Sequence, residues 1–90
     1  MMDINTAKLI IGTQEKRLRK IKDIRLFNNG YEFRLNYEGG FGAFICIDYR
    51  KVGTRNFKYF SGIGAYDCID CHTAIDKCVK HIEDNINKII

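Results

Sequence analysis

Ninety residues, 46% of them apolar and 29% charged, have the composition of one soluble globular domain, 1–90, near the small end for a self-sufficient core. No apolar run approaches the ~18 residues needed to cross a bilayer, and the start MMDINTAKLIIGTQEKR lacks a basic n-region, so neither a membrane partner nor export is expected. The chain reads as cytoplasmic, and its four cysteines as reduced thiols.

The formal charge of +4 is unevenly placed. Residues 1–60 carry twelve Lys/Arg against six Asp/Glu, while residues 61–90 carry three against five. A basic body of this kind points to an anionic partner.

The first predicted element is a helix. Asn5 or Thr6 can cap it, and Ala7, Ile11, Gln14, Leu18 and Ile21 share one face. Gly12 costs about 1 kcal/mol relative to alanine inside that pattern, so a break with a fresh start at Thr13 is the alternative. Lys16, Arg17, Arg19 and Lys20 fall off the apolar face, towards the end where the backbone dipole favours cations. The same cluster is a candidate phosphate-contacting strip.

A hairpin follows. Asn29-Gly30 suits a type I′ turn, which needs positive φ at both central residues. That turn sets Asn28 opposite Tyr31, Leu26 opposite Phe33 and Ile24 opposite Leu35. One face then collects these apolar side chains, and the other takes Arg25, Glu32, Arg34 and Asn36. A slip of one residue would turn the whole apolar set into water.

The third strand covers Ala43 to Tyr49. A five-residue glycine-rich tip sets Tyr37 opposite Ala43, Leu35 opposite Ile45, Phe33 opposite Ile47 and Tyr31 opposite Tyr49. An even-length tip would turn Ile45 and Ile47 away from the core. Phe57 to Phe60 is the fourth strand, with Phe57 and Tyr59 inward, and Ser61-Gly62-Ile63-Gly64-Ala65 reads as loop.

The last element is a helix over 68–88, capped by Asp67 and carrying the apolar stripe Ile75, Val79, Ile82, Ile86 and Ile89. His81 falls on its polar flank. The expected fold is therefore α+β: a two-layer sandwich in which a four-stranded antiparallel meander carries an N-terminal and a C-terminal helix on one face.

Cys68, Cys71, Cys78 and His81 have the spacing C-x2-C-x6-C-x2-H, a candidate zinc set. On a single helix Cys71 and Cys78 are about 10 Å apart, so a shared ion needs the first two cysteines in a loop folded back on the helix. The simpler account makes the cysteines small buried hydrophobes beside the isoleucine stripe. The CxxCH spelled by Cys68, Cys71 and His72 matches haem attachment, and a C-x-x-C pair also suits redox chemistry. Lack of an export signal opposes the first; Asp67 and Asp70 beside the thiols oppose the second. No cofactor is expected. Gly39-Gly40-Phe41-Gly42 and Gly62-Ile63-Gly64 lack the spacing of phosphate-binding loops, and no serine or cysteine has a nucleophile's context, so an enzyme is not expected.

The sheet face away from the helices is expected to display Arg25, Phe27, Arg34, Phe44, Cys46, Asp48, Lys58 and Phe60. Aromatic rings among cations suit either a protein interface, including one between two copies of the chain, or base stacking with phosphate neutralisation. The leading expectation is a non-enzymatic module that docks on a protein or nucleoprotein complex. Its size, the absence of proline and the rich use of Ile, Lys and Asn fit an inhibitor or adaptor from a phage or other mobile element. The alternative is direct nucleic-acid binding through Arg17, Arg19, Lys20, Arg34, Arg50, Lys51 and Lys58, and a zinc-stabilised domain is third.

Overall fold

The computed structural model of the chain describes residues 18–39 and 43–90. Four strands, β1 (Ile24–Asn28), β2 (Tyr31–Glu38), β3 (Phe44–Lys51) and β4 (Lys58–Gly64), form one antiparallel sheet in the order β1-β2-β3-β4. One helix, α1 (Cys71–Asn85), follows and tightens into a 3-10 turn at Ile86–Lys88. The expected N-terminal helix lies almost wholly outside the described residues. Of its stripe, Leu18 and Ile21 are described, and both are buried.

The first hairpin has the predicted register, with Ile24, Leu26 and Asn28 opposite Leu35, Phe33 and Tyr31. Asn29 and Gly30 take φ of 51° and 79°, as a type I′ turn requires. The second hairpin keeps the predicted faces but slides by two residues. Tyr37 pairs with Ile45, Leu35 with Ile47, Phe33 with Tyr49 and Tyr31 with Lys51. A two-residue slide leaves every side chain on its own face, so hydrophobic pattern cannot distinguish the two registers. The observed one runs to eight pairs by adding Glu38 opposite Phe44, and it leaves Ala43 to accept a backbone bond from Ala65 (2.8 Å).

The fourth strand departs further. It runs through the stretch expected to be loop, and its inward residues are not Phe57 and Tyr59. Ile47 pairs with Ser61 but Asp48 with Tyr59, so Phe60 is an extra residue that inverts the alternation on its N-terminal side. Phe60 turns inward, edge-on to Phe33 (5.2 Å between ring centroids) and Tyr49 (5.9 Å). Tyr59 is left 67% exposed. Gly62 and Gly64 are tolerated in the strand because rings cover them: a Cβ on Gly62 would run into Phe44, and one on Gly64 would meet Tyr66.

The helix begins later than predicted. Its cap is Asp70, whose carboxylate accepts from the Thr73 N–H (2.8 Å), whereas Asp67 pairs with Lys77 (2.9 Å). Ala74, Cys78 and Ile82 form the buried line of α1, with Ile75 at its edge. The core beneath is Phe33, Leu35, Ile45, Ile47 and Ile63, closed by Leu18, Ile21, Ala65 and Cys68. Among the described residues no helix is long and apolar enough to cross a membrane.

Candidate interaction surface

Strand alternation sends Arg25, Glu32, Arg34, Asp48 and Arg50 to the face opposite α1, because their inward neighbours fill the core. There they form a paired network. Glu32, 8% exposed, sits between Arg25 (3.2 Å) and Arg50, whose Nε donates to it. Arg34 Nη2 donates to Asp48 (3.1 Å), and Arg25 Nε donates to Asp23 (2.8 Å). The Arg25 guanidinium holds the Asp23 carboxyl below its ordinary pKa and is itself raised by that bond.

Phe57 lies at the centre of this network. Its ring is within 5.0 Å of the Arg25 guanidinium, 4.1 Å of Arg34 and 4.3 Å of Arg50. Those separations are within cation–π range, and the ring lets three like charges share a neutral surface. Arg34 Nε is buried without a hydrogen-bond partner, which suits a guanidinium held by its flat face. Around the cluster stand the exposed rings of Phe27 (68%), Phe44 (44%) and Tyr59 (67%).

The structure thus brings together Arg25, Phe27, Arg34, Phe44 and Arg50 and separates the other predicted contact residues from them. Phe60 belongs to the core, because the extra residue in β4 reverses its side. Lys58 sits opposite Tyr49, and Lys51 opposite Tyr31, on the α1 side of the sheet at its edge. Arg19 and Lys20 are exposed on the turn before β1, and Arg17 lies outside the described residues. Sequence reading missed Phe57 and Tyr59. Their alternation in Phe57-x-Tyr59, out of phase with Phe60, was the available signal.

The cysteines do not converge with His81. Cys68 and Cys78 are buried in the core, Cys71 is half-buried, and Cys46 faces the arginine side with its thiol 3.8 Å from Asp48. Burial, with the Cys68 thiol beside it, pushes the Cys78 thiol up to about 12, and burial with Asp67 nearby raises Cys68. His81 is not on a solvated flank. Its Nε2 is 3.0 Å from the Ser61 hydroxyl, its ring stands edge-on to Phe60, and Asn85 Nδ2 donates to its backbone carbonyl (2.8 Å). That amide also lies 3.4 Å from His81 Nδ1. With Nδ1 as acceptor, Nε2 carries the proton and donates to Ser61, the reverse of what activates a serine. Among the described residues no group of three or more His, Cys, Asp or Glu side chains is placed to hold a metal ion.

Compared with protein-family models, curated proteins and solved structures, the chain has no match.

Proposed function

We infer that the chain is a small non-enzymatic docking module whose arginine-rich sheet face engages a protein, alone or within a nucleoprotein complex. The observation that carries this reading is the pairing of charge on that face. Glu32 and Asp48 already occupy Arg25, Arg50 and Arg34, while Phe27, Phe44 and Tyr59 present apolar area around them. A phosphate backbone would have to compete with those carboxylates. A protein surface gains from aromatic anchors and preorganised arginines, the residue types enriched at interface centres. No described element covers this face.

Affinity capture from the native host tests the reading, run with wild-type chain and with the Phe27→Asp/Tyr59→Asp double variant, before and after nuclease treatment. One protein is expected to be retained by the wild type through nuclease treatment and lost by the variant. Equal capture by both proteins, or loss on nuclease treatment, would refute it.

A second reading rests on Arg19, Lys20, Lys51 and Lys58, which are exposed and make no ion pair with a described carboxylate. Four such cations on a nucleic-acid backbone would give a log–log salt slope of about −3 to −4.

A further inference from the structure

A cavity of about 430 Å³ lies where the β3–β4 connection meets the start of β2 and the C-terminal tail. Its wall includes Arg50, Lys51, Arg55 and Lys58 and contains no carboxylate. Register explains this concentration of charge. Tyr31 pairs with Lys51 and Tyr49 with Lys58, so two tyrosines and two lysines share one face at the open end of the sheet. The two rings are 6.1 Å apart and tilted by 55°, and Tyr49 is backed by Phe33 and Phe60.

The loop carrying the cations is tied down. Thr54 donates to the Lys51 carbonyl from both its hydroxyl (2.6 Å) and its N–H (3.0 Å), and Gly53 takes the φ of 95° that this turn needs. Arg50 Nη1 donates to the Arg55 carbonyl (3.3 Å) while its Nε stays on Glu32. Tyr31 donates its hydroxyl to the Ile89 carbonyl (3.2 Å), which fixes the tail as the opposite wall. Lys51, Arg55 and Lys58 make no ion pair among the described residues. Like charges gathered round one cavity without a counter-charge repel each other, and a bound anion relieves that repulsion.

We propose that this corner is a nucleotide site: Lys51, Arg55 and Lys58 hold the phosphate, and the Tyr31–Tyr49 platform takes the base. The cavity falls within the roughly 300–1,000 Å³ range of small-molecule sites. Rings beside cations distinguish it from a bare phosphate site, because base stacking on tyrosine adds affinity that phosphate alone does not use. The ligand is a free nucleotide or the phosphorylated end of a strand. The site uses side chains other than the exposed rings of the docking face and does not depend on that reading.

The test is a titration of the isotope-labelled full chain, followed by amide NMR at low salt, with adenosine 5′-monophosphate, adenosine, inorganic phosphate and a 5′-phosphorylated oligonucleotide. Adenosine monophosphate is expected to shift amides of Tyr31 and of residues 49–58, and to bind about tenfold or more tighter than adenosine or phosphate alone. A Lys51→Glu/Lys58→Glu variant, changed only at exposed positions, is expected to keep its spectrum elsewhere and bind about tenfold or more weakly. Tighter binding of the oligonucleotide than of the mononucleotide identifies a strand end; equal binding identifies a free nucleotide. The proposal is overturned by any of three results: no shifts at millimolar nucleotide, shifts unchanged in the double variant, or phosphate binding as tightly as the nucleotide.

Discussion

Three guanidiniums share the Phe57 ring, so one side chain touches every arginine of the paired network. Phe57→Leu keeps most of the apolar area and removes the π face, so it is expected to cost about 1 kcal/mol in urea unfolding. Phe57→Ala should cost about 1 kcal/mol more through lost packing. A leucine variant as stable as the wild type would show that the stacking contributes nothing.

Cys78 supplies a second residue-scale test, this time of the core. Its thiol is pushed from 9.0 to about 12 by burial. Above pH 9 the unfolded chain therefore releases a proton that the folded chain retains. Its contribution to stability is full below pH 9 and falls as pH rises from there towards 12. Cys78→Ala is expected to begin less stable, from the cavity it leaves, and to lose stability less steeply across that window. Denaturant midpoints for both chains at about pH 8 and about pH 10 decide it, since all other titrations are common to the two. Parallel slopes would place the thiol in water.

At the scale of elements, the cap of α1 is a direct competition between two aspartates. Asp70→Ala removes the acceptor for Thr73 N–H and is expected to cost about 1 kcal/mol. Asp67→Ala breaks an exposed, solvent-screened pair with Lys77 and should cost less than the loss of the Asp70 cap. The reverse order would move the helix start to the position that sequence reading assigned.

β4 teaches the same lesson about where sequence patterns stop. Positions 24–49 alternate, and the Asn29-Gly30 turn agrees with the alternation, so three strands and their faces were legible from spacing alone. Phe57, Tyr59 and Phe60 are all aromatic, and only an extra residue opposite Ile47 and Asp48 decides which ring turns inward. Gly62 and Gly64 look like loop until Phe44 and Tyr66, distant or later in the chain, are seen covering them. Gly62→Val should displace the Phe44 ring and cost about 1–3 kcal/mol by thermal unfolding, whereas an uncovered edge would tolerate it.

For the whole molecule, the two faces of the sheet have separate duties. One packs the core under α1; the other holds a charge-paired arginine network ringed by exposed phenyl and phenol groups. The candidate surface was half legible. Arg25, Phe27, Arg34 and Phe44 followed from parity, whereas Lys58 and Phe60 were misplaced because a single extra residue reverses parity beyond it. The separation also makes an ionic-strength prediction. Docking through paired arginines and rings should weaken less than about tenfold between 50 and 200 mM salt, while a surface making six to ten phosphate contacts would lose about 10³–10⁵.

Hydroxyl-radical footprinting of the chain, free and in its captured complex, tests the docking surface most directly. Phe27, Phe44 and Tyr59 are expected to oxidise readily in the free chain and to be protected together in the complex, while Ile69, before α1, and Ile90, at the C-terminal tail, both exposed, keep their reactivity. Protection of Ile69 and Ile90 with the three sheet-face rings still reactive would contradict the account.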